Sequence, residues 1–92
     1  MKHYIIIKLS KDEDKEKLIK DIKEHYNNVT SIEGVKRVDV FTSSSKLRNR
    51  FDMMIKLDLN KQGLQNYEES DFLKKFKEKF DKYISKKTIF DC

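Results

Sequence analysis

The chain has 92 residues, 37% apolar and 40% charged, with 21 basic against 16 acidic side chains and a formal charge of +5. That length makes one domain, 1–92, with a thin core that a partner surface would help to complete, and the 11% aromatic content argues against disorder. The lysines are interleaved with Glu and Asp rather than gathered into Arg patches, the lone Cys92 cannot pair within the chain, and the apolar run "YIII" is far too short to span a bilayer, so a cytoplasmic protein is expected.

"HYIIIKL" (3–9) is rich in β-branched residues and predicts a buried strand. Period two places His3, Ile5, Ile7 and Leu9 on one face and Tyr4, Ile6 and Lys8 on the other. Both faces are largely apolar, so both are expected to be covered. "SKDE" then opens a helix, because Ser10 and Glu13 have capping-box spacing. Asp12, Glu13, Asp14 and Glu16 gather where the helix dipole favours negative charge, which explains them better than a metal site. Leu18, Ile19, Ile22, Tyr26 and Val29 form one apolar stripe.

"EGV" (33–35) predicts a turn into a second strand over 35–41, with Val38 and Val40 opposite Arg37 and Asp39. The polar loop 42–50 carries a Ser triplet with Lys46, Arg48 and Arg50; it reads as a decorated hairpin loop rather than a phosphate cradle. "FDMMIKLDL" (51–59) is the third strand, with Phe51, Met53, Ile55, Leu57 and Leu59 on one side. Asn60 caps a short helix carrying Leu64 and Tyr67, in which Gly63 predicts irregularity. Ser70 caps the next helix, with Phe72, Leu73, Phe76, Phe80, Tyr83 and Ile84 as its apolar stripe, and "KKTIFD" (86–91) closes the chain as a strand.

The order β-α-β-β-α-β is the α+β, ferredoxin-like topology: a four-stranded antiparallel sheet with helices on one face. The opposite face would stay wet in a monomer. Tyr4 and Ile6 on the first strand therefore predict a second sheet packed there, giving a barrel-like homodimer.

Five segments in register resemble the stress-responsive α/β-barrel family. They are "KHYIIIKL" (2–9), "IEGVKRVDV" (32–40), "RFDMMIKLDL" (50–59), "GLQNYEES" (63–70) and "KKTIFD" (86–91). The resemblance implies a dimer whose two sheets form the barrel, with a cavity between sheet and helices in each subunit. Most members are stress-linked, and a minority are polyketide cyclases or similar small-molecule enzymes.

Cyclase-type members keep the pattern Tyr-x-x-His-x-x-His, in which an imidazole acts as base beside the phenol. Here Tyr67 matches, but Ser70 and Leu73 stand at the two His positions, and Leu cannot move a proton. No catalytic residue is therefore assigned. The ligand-pocket candidates are His3, Ile5, Ile7, Ile22, His25 and Tyr67. His3, which the resemblance also matches, either lines the pocket or is satisfied by backbone or a neighbour such as Asp91. His25 lies at the end of the first helix, where a dipole interaction is ordinary. No Cys/His cluster has zinc spacing, and no haem or flavin ligand pattern occurs, so no metal or cofactor is expected.

The leading expectation is a homodimer, non-catalytic or weakly binding a small apolar ligand. The alternative is a small-molecule enzyme of polyketide-cyclase or cofactor-free monooxygenase type acting in the sheet–helix cavity. A nucleic-acid module ranks last, because "RNRFDMMIKL" lacks the glycines and stacking aromatics of an RNA-recognition strand. No membrane association is expected.

Overall fold

A computed structural model describes residues 1–10, 14–45, 47 and 49–92. Strand β1 (Lys2–Leu9) follows the predicted alternation, with His3, Ile5, Ile7 and Leu9 buried and Tyr4, Ile6 and Lys8 only half-buried. Helix α1 (Lys15–Tyr26) buries Leu18, Ile22 and Tyr26, and Ile19 packs at the edge of the same cluster. Val29 is also buried, but on a separate 3₁₀ turn (Val29–Ser31) beyond the helix. Strand β2 (Val35–Thr42) and strand β3 (Met53–Leu59) follow, then helix α2 (Lys61–Glu68), helix α3 (Asp71–Phe80), a 3₁₀ turn (Asp81–Tyr83) and strand β4 (Ile84–Asp91).

The four strands make one antiparallel sheet in the order β2-β3-β1-β4, so the two central strands are the most apolar ones. The helices lie on one face, over Ile5, Ile7 and Leu9 of β1 and Met53, Ile55, Leu57 and Leu59 of β3, all nearly inaccessible to solvent. This is the ferredoxin-like arrangement that the element order predicts.

Several local readings are corrected. The cap of α1 is Asp14, whose carboxylate accepts from the Lys17 N–H at 3.2 Å. Ser10 is instead part of the sheet margin, with its N–H donated to the Tyr83 carbonyl at 2.9 Å. Glu13 and Asp12 of the expected capping box and acidic cluster lie outside the described residues, as do Lys46 and Arg48 of the basic loop. The stripe of α3 ends at Phe80; Tyr83 and Ile84 belong to the following turn and to β4, which starts two residues earlier than expected.

Phe51 and Asp52 precede β3 rather than belonging to it. Asp52 acts as a local clasp. Its carboxylate accepts the Leu9 N–H at 2.7 Å and the Lys15 ammonium at 3.3 Å, while its own N–H donates to the Ile7 carbonyl at 2.8 Å. One side chain thus ties together the end of β1, the start of α1 and the entry to β3.

Gly63 does not make α2 irregular. The helix is regular, capped by Asn60, whose side chain accepts from the Gly63 N–H at 2.7 Å. A Cβ at Gly63 would lie 2.3 Å from the Gly34 carbonyl oxygen, so glycine is required for close approach between α2 and the β2 turn. Gly34 itself has φ +91°, a backbone conformation that L side chains rarely adopt.

Strand β4 is the exception to one-sided burial. Apart from Ile84, every residue in it is exposed, including those on the helix-facing side. The helices do not reach across this edge, and the gap they leave is where the candidate site lies. Among the described residues no helix is long and apolar enough to cross a membrane.

Candidate functional site

Pleating of β1 brings His3 and Ile5 to the helix-facing side, and the antiparallel register sets them opposite Asp91 and Ile89 of β4. The last turn of α1 supplies Tyr26, and the last turn of α2 supplies Tyr67. Together with Phe76 of α3 they enclose a cavity of about 240 Å3 that opens between α3 and β4.

Two polar pairs stand in this apolar setting. The Tyr26 and Tyr67 hydroxyls are hydrogen-bonded to each other at 2.6 Å, and both residues are buried. Two hydroxyls carry two protons, and their mutual bond uses one. The other remains available to an acceptor in the cavity. Burial is the main cause that pushes the Tyr67 phenol up to about 12; the bond from Tyr26 opposes this and the Glu68 charge adds to it. Burial also raises Tyr26 well above the ordinary phenol value, with the Tyr67 charge and hydrogen bond acting in the same direction. At neutral pH the pair is a protonated hydrogen-bonding unit and not a base.

The second pair joins His3 Nδ1 to Asp91 Oδ1 at 2.5 Å. A carboxylate only accepts, so Nδ1 carries the proton, and in the neutral ring Nε2 is the acceptor. Nε2 has no protein partner among the described residues. The imidazole stands edge-on to the Tyr67 ring, with centroids 5.7 Å apart.

Of the six residues singled out from the sequence, His3, Ile5 and Tyr67 line this cavity. Ile7 and Ile22 lie in the closed core with no exposed surface. His25 is elsewhere: its Nε2–H donates to the Phe72 carbonyl at 3.1 Å, and it borders a separate open groove between α1 and the end of α3. In the sequence Tyr26 reads only as part of a helix stripe. The signal for its role is that a phenol closes an otherwise aliphatic stripe, and a buried Tyr hydroxyl needs a partner. Ser70 is fully used by structure: its hydroxyl donates to the Tyr67 carbonyl at 2.6 Å and accepts the Leu73 N–H at 3.1 Å. Leu73 lines the cavity as an apolar wall. No group of three or more His, Cys, Asp or Glu is placed to hold a metal among the described residues.

Solved structures share this fold. A protein from Arabidopsis thaliana superposes with a TM-score of 0.82 at 18% identity, covering 99% of this chain and 91% of that one. A dimeric protein of unknown function with a ferredoxin-like fold, from Bacteroides fragilis, gives 0.83 at 14% identity, covering 99% and 92%. A hydroxynitrile lyase from Passiflora edulis gives 0.78 at 16% identity, covering 97% and 87%. A search of curated proteins finds no match. The family model of the Stress Responsive A/B Barrel Domain matches residues 1–92, and the chain belongs to that family.

Proposed function

We propose that residues 1–92 act as one domain that forms a homodimer through its open sheet face and binds a small, mainly apolar molecule in the sheet–helix cavity of each subunit, without turnover. The single observation that carries the ligand reading is the cavity itself. Its apolar walls surround a phenol pair with one uncommitted proton and an imidazole with one uncommitted nitrogen. The test is a cavity-filling variant, Ile89→Trp, on a position at the mouth. Small aromatic compounds that bind the wild type by calorimetry should lose that binding; retention of full affinity would overturn the assignment.

The dimer is supported by the other face of the sheet. Phe41, Met54 and Ile6 lie side by side across β2, β3 and β1, and Tyr4 lies beside Phe90 of β4, ring centroids 6.2 Å apart. Phe41 is 49% and Phe90 58% exposed in the isolated chain. The chain exposes 6298 Å2. About 5,700 Å2 is expected for a monomer of its mass, so the excess is roughly 600 Å2. The Bacteroides fragilis neighbour is described as dimeric. Light scattering on a size-exclusion column should give a dimer at micromolar concentration, and Ile6→Glu should give a monomer. A wild-type monomer would refute this interface. A single exposed thiol, Cys92, fits a reducing, cytoplasmic setting.

The His3–Asp91 pair favours a second reading, acid–base catalysis, because Asp91 fixes the tautomer that leaves Nε2 as a base. One fold neighbour is a hydroxynitrile lyase. Turnover of an aromatic hydroxynitrile by the wild type, abolished in His3→Gln, would favour this reading over simple binding.

A further inference from the structure

The mouth of the cavity is flanked by two lysines from different elements, Lys77 on α3 and Lys87 on β4. Lys87 lies opposite Ile7 in the β1–β4 register, on the helix-facing side of a strand that the helices leave uncovered. Neither ammonium forms an ion pair with a carboxylate among the described residues. The two cations share the rim of the apolar cavity with Glu68, and the Asp91 carboxylate beside it is engaged by His3.

Resting on the ligand-binding role above, we propose that the ligand class is a small aromatic or short-chain carboxylate, its apolar body inside and its charge held between Lys77 and Lys87. Burial of a bare carboxylate among Ile5, Phe76 and Ile89 would be costly, which keeps the charged end at the solvent-facing mouth. Two ammonium groups there attract an anion and repel a cation of the same shape. Size agrees with this class. An apolar cavity of about 150 Å3 takes up benzene, and this one, at about 240 Å3, seats a ring with a short substituent. The free phenolic proton of the Tyr26–Tyr67 pair then meets a ring oxygen or other acceptor at the inner end. The larger groove beside His25 does not compete for this ligand, because its rim mixes Asp14, Asp21, Glu24 and Glu78 with Lys17, Lys79 and Lys82 and selects neither sign.

The experiment is calorimetric titration of the full chain with 4-methylbenzoate, its methyl ester and 4-methylbenzylamine, which share one apolar body and differ in charge. The acid should bind about fivefold to tenfold more tightly than the ester, the range two partly exposed ion pairs supply, and the amine more weakly than either. The double variant Lys77→Gln/Lys87→Gln should bring the acid down to the affinity of the ester while leaving the ester unchanged. Ester binding by that variant also verifies that its cavity is intact. Added salt should weaken the acid selectively. Equal affinity of acid and ester in the wild type, or an acid preference that survives the double variant, would overturn the carboxylate assignment and leave the cavity reading standing. Failure of all three compounds at millimolar concentration would overturn both.

Discussion

Replacing Gly63 by Ala tests whether packing or propensity governs α2. Helix propensity, which already includes the greater freedom of glycine in the unfolded chain, favours Ala over Gly by about 1 kcal/mol. The seam against the β2 turn opposes this. The added methyl would lie 2.3 Å from the Gly34 carbonyl oxygen and 2.4 Å from its carbon, both of them backbone atoms. Backbone cannot rotate away, so α2 must retreat by roughly an ångström to restore ordinary contact distances. Retreat strains two hydrogen bonds that cross the same seam, Asn60 N–H to the Gly34 carbonyl at 3.2 Å and Asn66 Nδ2 to the Glu33 carbonyl at 2.8 Å. Overpacking of this kind costs about 3 kcal/mol at the upper end of its usual range. Net destabilisation is then about 2 kcal/mol, a drop in Tm of roughly 8–16 °C for a domain of this size. Thermal melts followed by circular dichroism, at one fixed protein concentration because a dimer melts with concentration, measure it. A Tm equal to or above that of the wild type would refute the packing argument.

Two further outcomes follow from the same geometry. Asp52→Ala removes the acceptor of the Leu9 N–H and the partner of Lys15, and should cost about 2 kcal/mol in urea unfolding, with Asp52→Asn losing less because it keeps one carbonyl oxygen. Tyr67 is held neutral in the fold up to about 12, whereas an unfolded tyrosine ionises near 10. Its stabilising contribution is therefore complete below pH 10 and is lost as pH rises from 10 toward 12, by roughly 2–3 kcal/mol. Urea midpoints at pH 9 and pH 11 should fall less in Tyr67→Phe than in the wild type, and parallel declines would refute the assignment.

Strand pairing and burial were legible where residues alternate cleanly. His3, Ile5, Ile7 and Leu9 announce the buried face of β1, and Asn60 and Ser70 announce their caps. The cap of α1 was harder because Ser10 and Asp14 both precede the helix. The choice depends on Tyr83, which takes the Ser10 N–H and lies far away in sequence. Gly63 shows the same limit, since its reason is the backbone of Gly34. Half of the candidate site was legible through His3 and Tyr67. Tyr26 was not assigned to it, because the hydroxyl that pairs with it lies 41 residues on. Lys77 and Lys87 gain their meaning only from helices that stop short of β4, and no local pattern in "KKTIFD" records that.

The exposure of β4 on its helix-facing side has a kinetic consequence. A strand held by backbone bonds to one neighbour, with little apolar area beneath it, has a low local opening free energy. Its Asp91 closes a loop of 88 residues back to His3, so that contact forms late and opens early relative to the β1–β3 centre. Detachment of β4 would at once remove Lys87 and Ile89 from the cavity wall and Asp91 from His3, which couples fraying of a single edge strand to entry and exit of whatever the cavity holds.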